Sequence, residues 1–358
     1  MPKIGLPAWT WLSPVVGALL LFGAKLGGVF DVVLAFGLIA CVLAAVHHAE
    51  VVAHKIGEPY GTLVLAVAVT VIEVALIVSL MLSGGMAASG LARDTVFAAI
   101  MIILNGLVGL CLLAGGARHL EQNFGQAGVS AALATLAALT VLTLVLPNYT
   151  TSELGPVYSG SQLAFVGLVS LVLYGTFVLV QTVRHRDYFL PTGPKVHDEE
   201  AHAAPPTAMD AWVSLGLLVL ALVTVVLLAK ALAPTIEGAV AAAGAPKAVV
   251  GVIIAALVLA PESLAAVRAA RANRLQTSLN LALGSALASI GLTIPVVAVV
   301  SLAMDWPLSL GLDAKAMVLL MLTLIVTTLS LGTGRTTVLQ GVVHLVIFAV
   351  FLFTTIVP

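Results

Sequence analysis

Charge is what this sequence has least of. Only 9% of its 358 residues are Asp, Glu, Lys or Arg, and 61% are hydrophobic. Soluble globular chains carry about a quarter charged residues. So small a supply excludes the two-layer soluble folds and leaves an all-α polytopic membrane protein. The few Lys and Arg form no basic patch, and the net charge is −1; a nucleic-acid partner is not expected. Cysteine is scarce as well: Cys41 and Cys111 both lie inside apolar runs, where they pack as small hydrophobes rather than forming a disulfide or metal pair. Catalytic signatures are missing. No cofactor motif and no nucleophile paired with a base stands out. His47, His48 and His54 with Glu50 do not make the His-Glu-x-x-His spacing that sets two zinc ligands around a general base. The expectation is a protein that is not an enzyme and holds no cofactor. A cleavable leader is not evident either. The first apolar run ends in Gly23-Ala24-Lys25 without a small-x-small site before a polar domain, so it reads as a retained helix.

Long apolar runs are what the chain has in quantity. A membrane core of about 30 Å needs about 20 residues of helix. Eleven runs approach or exceed that, near 8–24, 31–53, 60–82, 94–115, 127–147, 161–183, 211–233, 246–267, 277–302, 314–331 and 336–356. The one long polar interruption, Arg184 to Asp210, holds four prolines and the cluster His197-Asp198-Glu199-Glu200-Ala201-His202. It reads as a linker, its cluster either a solvated stretch or a cation sensor. Lys and Arg concentrate on cytoplasmic loops. With the N-terminus inside, ten of the fifteen fall on the cytoplasmic side and five opposite. That places the linker inside and the C-terminus outside, with the lipid bilayer as the partner.

Setting aside the first helix leaves five helices on each side of the linker. The expected division is 1–30 as an extra transmembrane helix, 31–183 as a first five-helix repeat, 184–210 as the linker and 211–358 as a second repeat. An odd number of helices per repeat forces opposite membrane orientations, the inverted-repeat plan of secondary transporters. Each half carries one glutamate inside an apolar run, on the second helix of its five: Glu73 and Glu262. A carboxylate at bilayer depth costs about 2.5–3.5 kcal/mol on insertion scales. The plain alternative is a glutamate near a helix end reaching for headgroups. Further polar residues accompany both. Thr70 precedes Glu73 by one turn; its hydroxyl is either a ligand or back-bonded within its helix. Pro261 removes a backbone bond and frees the Leu257 carbonyl, marking either a break lining a cavity or an ordinary kink. The third helix of each five holds Asn105 in the first half and Ser285 and Ser289, four apart on one face, in the second. Asn105 is a ligand or an interhelical hydrogen bonder, and the serines among Gly284, Ala288 and Gly291 are ligands or packing residues. His47, His48, His54 and Glu50, at a cytoplasmic helix end, read as a solvated or regulatory group. His344, deep in the last helix, reads as a hydrogen-bonded core histidine, with proton relay as the alternative.

Leu259-Ala260-Pro261-Glu262-Ser263-Leu264-Ala265-Ala266, then Arg268-Ala269-Ala270-Arg271-Ala272-Asn273, then Gly284-Ser285-Ala286-Leu287-Ala288-Ser289-Ile290-Gly291-Leu292-Thr293-Ile294-Pro295 resembles the second α-repeat of the calcium/cation antiporter superfamily, in its bacterial ChaA-type branch. Gly57-Glu58-Pro59-Tyr60-Gly61-Thr62 with Val69-Thr70-Val71-Ile72-Glu73-Val74-Ala75-Leu76 resembles the matching first repeat. Where many of these exchangers carry Gly-Asn beside the repeat glutamate, this chain has Val71-Ile72 and Ala260-Pro261, which removes possible amide ligands. The resemblance implies an antiporter exchanging Ca2+, Na+ or K+ for protons by alternating access. It makes Glu73 and Glu262 the shared cation- and proton-binding carboxylates, with Asn105, Ser289, Ser285 and Thr70 as polar company. A passive cation channel is the alternative.

Overall fold

The computed structural model describes residues 6–57, 60–84, 88–190 and 206–357. The linker cluster at 197–202, and Glu58 and Pro59 of the first motif, lie outside the described residues. Nearly all the rest is helical, because a backbone in hydrocarbon must satisfy its own hydrogen bonds. In chain order the helices are α1 (Ala8–Leu20), α2 (Val29–Ile56), α3 (Tyr60–Gly84), α4 (Leu91–Met101), α5 (Val108–His119), α6 (Gln126–Thr140), α7 (Gly160–Leu179), α8 (Ala208–Ala242), α9 (Ala248–Arg271), α10 (Leu275–Met304), α11 (Ala314–Leu331) and α12 (Val338–Ile356). A π-helical turn, Ile102–Leu107, fuses α4 to α5, so Leu91–His119 is one span. Similar π turns extend α6 and α7. Among the described residues nine helical stretches are long and apolar enough to cross a membrane, and Ala8–Gly23 and Val67–Leu82 are shorter apolar stretches. The protein is an all-α polytopic membrane protein.

Two compact units emerge: Met1–Ser83 with Gly193–Ala243, and Gly84–Thr192 with Gly244–Pro358. In the first, the most extensive helix pair is α2 against α8, and α1 packs on both. Gly17 permits that approach, since a Cβ there would sit 2.9 Å from Thr224 Cγ2. Pro14, inside α1, has no N–H to offer the Thr10 carbonyl four residues earlier. That carbonyl accepts instead from His48 Nε2 at 3.0 Å, while His48 Nδ1 lies 3.3 Å from Ser214 Oγ of α8. The solvated reading of this histidine group therefore needs correcting. His48 is wholly buried and ties α2 to α1 and α8, and His47 is half-buried and stacks at a tilt on Trp9 with centroids 5.6 Å apart, while Glu50 and His54 are exposed. The cause is the α1 proline, whose orphaned carbonyl makes room for a ring donor.

In the second unit, Leu91–His119 is the centre: 89% of its most apolar window is buried. Small residues let its neighbours close in. Gly251 sets α9 against the start of α4, where a Cβ would be 3.1 Å from the Thr95 nitrogen. Gly109 and Gly341 bring α5 and α12 together, and Gly291 brings α10 onto Tyr174 of α7. At one end β1 (Gln122–Asn123) pairs antiparallel with β2 (Arg335–Thr336), joining the α5–α6 connection to the α11–α12 connection. At the opposite end of α6 a single antiparallel bridge, Val157 with Ser309, joins the α6–α7 connection to the α10–α11 connection. Arg93 holds that second junction, its guanidinium bonded to Asp94, Ser309 and the Gly311 carbonyl. Cys41 and Cys111 are free, buried thiols.

Candidate cation-binding site

Glu262 lies on α9, one residue after Pro261. The helix is continuous from Ala248 to Arg271, so the proline does not break it. Its cost is one missing backbone bond at the Leu257 carbonyl. Ser263 Oγ donates to the Leu259 carbonyl at 2.7 Å, and Ser285 Oγ of α10 donates to Glu262 Oε2 at 2.5 Å. A hydroxyl donating to a carboxylate aims it. The Ser285 alternative of mere packing gives way to a direct hydrogen bond. Ser289 is one turn further along α10 and 2% exposed.

Asn105 sits within the π turn, completely buried. The turn packs against α9 and α10, the helices that carry Glu262 and the two serines. The carboxamide itself is held by residues outside the candidate set. Its Nδ2 donates to Thr323 Oγ1 of α11 at 2.9 Å and lies 3.7 Å from Met101 Sδ; its Oδ1 lies 3.3 Å from His344 Nδ1 of α12. His344 is thus a hydrogen-bonded core histidine. Nothing in the sequence singled out Thr323, a threonine in an ordinary apolar run; Met101 had no signal either.

Glu73 and Thr70 belong to the other unit. They lie one turn apart on α3 and are buried, 3% and 4% exposed. A carboxylate so deeply withdrawn from solvent inside an apolar helix is expensive. Among the described residues no group of three or more His, Cys, Asp or Glu gathers as a preformed metal site. What the structure shows is the Glu262 carboxylate bonded to the Ser285 hydroxyl in one unit and, in the other, Glu73 buried one turn from Thr70; carboxylate and hydroxyl oxygens are hard donors suited to alkali and alkaline-earth cations.

A model of the family described as "Sodium/calcium exchanger protein" matches residues 28–183 and 213–357. The chain belongs to this family. The two matched stretches take in Glu73, Thr70 and Asn105 on one side and Glu262, Ser285 and Ser289 on the other. The exchanger is 51% identical to y4hA of Sinorhizobium fredii, a protein named as an ionic transporter, over 98% of this chain and 97% of that one. It is 36% identical to the sodium-potassium/proton antiporter ChaA of Escherichia coli, over 96% and 94%. These matches establish the calcium/cation antiporter superfamily and its ChaA-type branch. Among solved structures, the Ca2+/H+ antiporter YfkE superimposes with a TM-score of 0.72 at 17% identity, covering 98% of this chain and 99% of that one; this likeness is one of fold. The exchanger family is one of membrane transporters, and this member is an integral membrane protein.

Proposed function

We propose that the protein is a proton-coupled cation antiporter of a bacterial inner membrane. Glu73 and Glu262 form its shared cation- and proton-binding site. Asn105, Ser285, Ser289 and Thr70 are the further oxygen donors. The observation that carries this reading is the Glu262 carboxylate, held by the Ser285 hydroxyl inside a membrane-length helix of a chain in the exchanger family. Two carboxylates brought together in low dielectric cannot both stay ionised without a counter-charge. A cation or a proton supplies it, and competition between the two couples their fluxes. The titration then belongs to the pair rather than to either residue.

Alternating access follows from the proposed inverted repeat. The two loop junctions of the second unit support that repeat. β1 with β2 links the connections after the third and before the fifth helix of the respective halves, and the Val157–Ser309 bridge makes the same link with the halves exchanged. The paired α2 and α8 are the first helices of the two proposed repeats. We assign them the moving part, which opens the site to one face at a time.

ChaA is named for sodium and potassium, and a further relative, 24% identical, is named a Ca2+/H+ antiporter, from Aphanothece halophytica. The deciding experiment reconstitutes the purified chain in liposomes and imposes a pH gradient, with Na+, K+ and Ca2+ in separate arms. Uphill movement of at least one cation, with a matching proton signal from an internal pH dye, is the expected result. Cation flux that only runs downhill would make the protein a channel instead.

A further inference from the structure

His344 has no part in the exchange scheme above, yet it is wholly buried in a membrane-spanning helix. Burying a ring with two polar nitrogens there is costly unless both are used. Only one is engaged: Nδ1 faces Asn105 Oδ1 at 3.3 Å, the backbone carbonyl of Leu104 also accepts from the ring, and Nε2 is buried with no hydrogen-bond partner. The helix packing favours the contact at the expense of the second nitrogen. Gly109 of α5 has no side chain, and a Cβ there would lie 3.0 Å from His344 Cβ; a Cβ at Gly106 would lie 3.3 Å from the Phe348 ring, one turn on. Gly106 lies within the π turn that carries Asn105 and Gly109 just beyond it, and such turns are frequent at functional sites.

The hydrogen bonds have a consistent direction. Asn105 Nδ2 donates to Thr323 Oγ1, whose own proton points to Met101 Sδ at 3.5 Å. Thr323 is therefore an acceptor from Asn105, and the amide oxygen must face the ring. For that oxygen to be satisfied, His344 must carry its proton on Nδ1 and leave Nε2 bare, which is the arrangement that tolerates Nε2 without a donor to place. An amide oxygen has two lone pairs. One accepts from His344 and the other is left for a cation.

We infer that His344 of α12, with Thr323 of α11, is a positioning residue that fixes the Asn105 carboxamide so that its oxygen is presented to the transported cation. This rests on the reading of Asn105 as a cation ligand. His344 does not touch the cation; it acts through Asn105, across 239 residues of sequence.

The test uses the full chain in liposomes, driven by a fixed pH gradient, with initial rates measured against Na+, K+ and Ca2+ concentration. His344→Leu raises KM for the carried cation by about tenfold and leaves the maximal rate within about twofold, since it removes binding rather than turnover. His344→Asn, whose amide N–H falls near the place of Nδ1, returns KM to within about twofold of the parent. In the Asn105→Ala background His344→Leu adds nothing, because residues acting as one unit are not additive. If His344→Leu does not insert, Thr323→Val reads the same positioning from the amide's other side. An unchanged KM in Asn105→Ala overturns Asn105 as a ligand. A raised KM in Asn105→Ala together with an unchanged KM in His344→Leu and Thr323→Val, effects that multiply in the double variant, or no recovery in His344→Asn overturns the positioning role alone.

Discussion

Two carboxylates carry the exchange scheme, and they differ in their settings. Glu262 is partly accessible and accepts from Ser285 at 2.5 Å; Glu73 is 3% exposed. Glutamine keeps the size of either side chain and removes its charge. Glu73→Gln and Glu262→Gln are each expected to reduce exchange to background in liposomes while yielding protein that inserts and purifies as the parent does. Near-normal proton-driven uptake by either variant would remove that residue from the site. Ser285→Ala tests the hydrogen bond rather than the charge. A bond to a charged group contributes about 1.5–3 kcal/mol, so cation KM should rise by roughly tenfold or more by the same principle, with exchange still measurable at saturating cation. A variant indistinguishable from the parent would return Ser285 to a packing role. The candidate residues were legible because each is a polar exception within an apolar run. Their partners were not. Thr323 and Met101 look like filler in sequence, and the Asn105–His344 contact closes over 239 residues, a separation that no local pattern encodes.

Most elements were legible to within a few residues, because hydrophobic length is the dominant signal in a bilayer; α8 is the exception, running to Ala242 against an expected end at 233. Each of the eleven apolar runs is occupied by a helix. Departures from regular helix were not legible. The π turn at Ile102–Leu107 inserts one residue without any Gly-Pro signature at its start, and Pro261, a conspicuous breaker in sequence, sits inside an unbroken α9. Pro14 has the opposite character, since its effect appears on a different helix. By orphaning the Thr10 carbonyl it creates the acceptor that His48 fills, and Ser214 of α8 completes the link. Replacing His48 by phenylalanine keeps the ring and deletes both bonds, leaving a buried carbonyl unsatisfied at a cost of about 1–3 kcal/mol. The expected outcome is a lower unfolding temperature in detergent with the cation KM unchanged, because His48 lies among structural contacts of α1, α2 and α8. A shift in KM without loss of thermal stability would instead give the histidine a part in exchange.

At the scale of the whole molecule, the distribution of charge sets sidedness. Ten of fifteen Lys and Arg fall on one face when the N-terminus is cytoplasmic, and this bias sets orientation when it lies near span ends. The structure supplies sites at which to test it. The β1–β2 junction, with the Arg335–Glu121 ion pair at 3.4 Å, follows α5 and should face the cytoplasm. The connection around Glu153, beyond the far end of α6, should face the other side. Both Asn123 and Glu153 are exposed, so a cysteine at either can react with a membrane-impermeant thiol reagent. The parent chain gives little background, because Cys41 and Cys111 are 0% and 1% exposed and a buried thiol is inert to such reagents. In intact cells or right-side-out vesicles Glu153→Cys is expected to label and Asn123→Cys to stay unlabelled; in inverted vesicles the two exchange. Reversed labelling would turn the molecule over, placing the linker outside. Labelling of both from one side would be more damaging, since α6 would then not cross the membrane and the repeat argument would lose the odd number of spans on which opposite orientation depends.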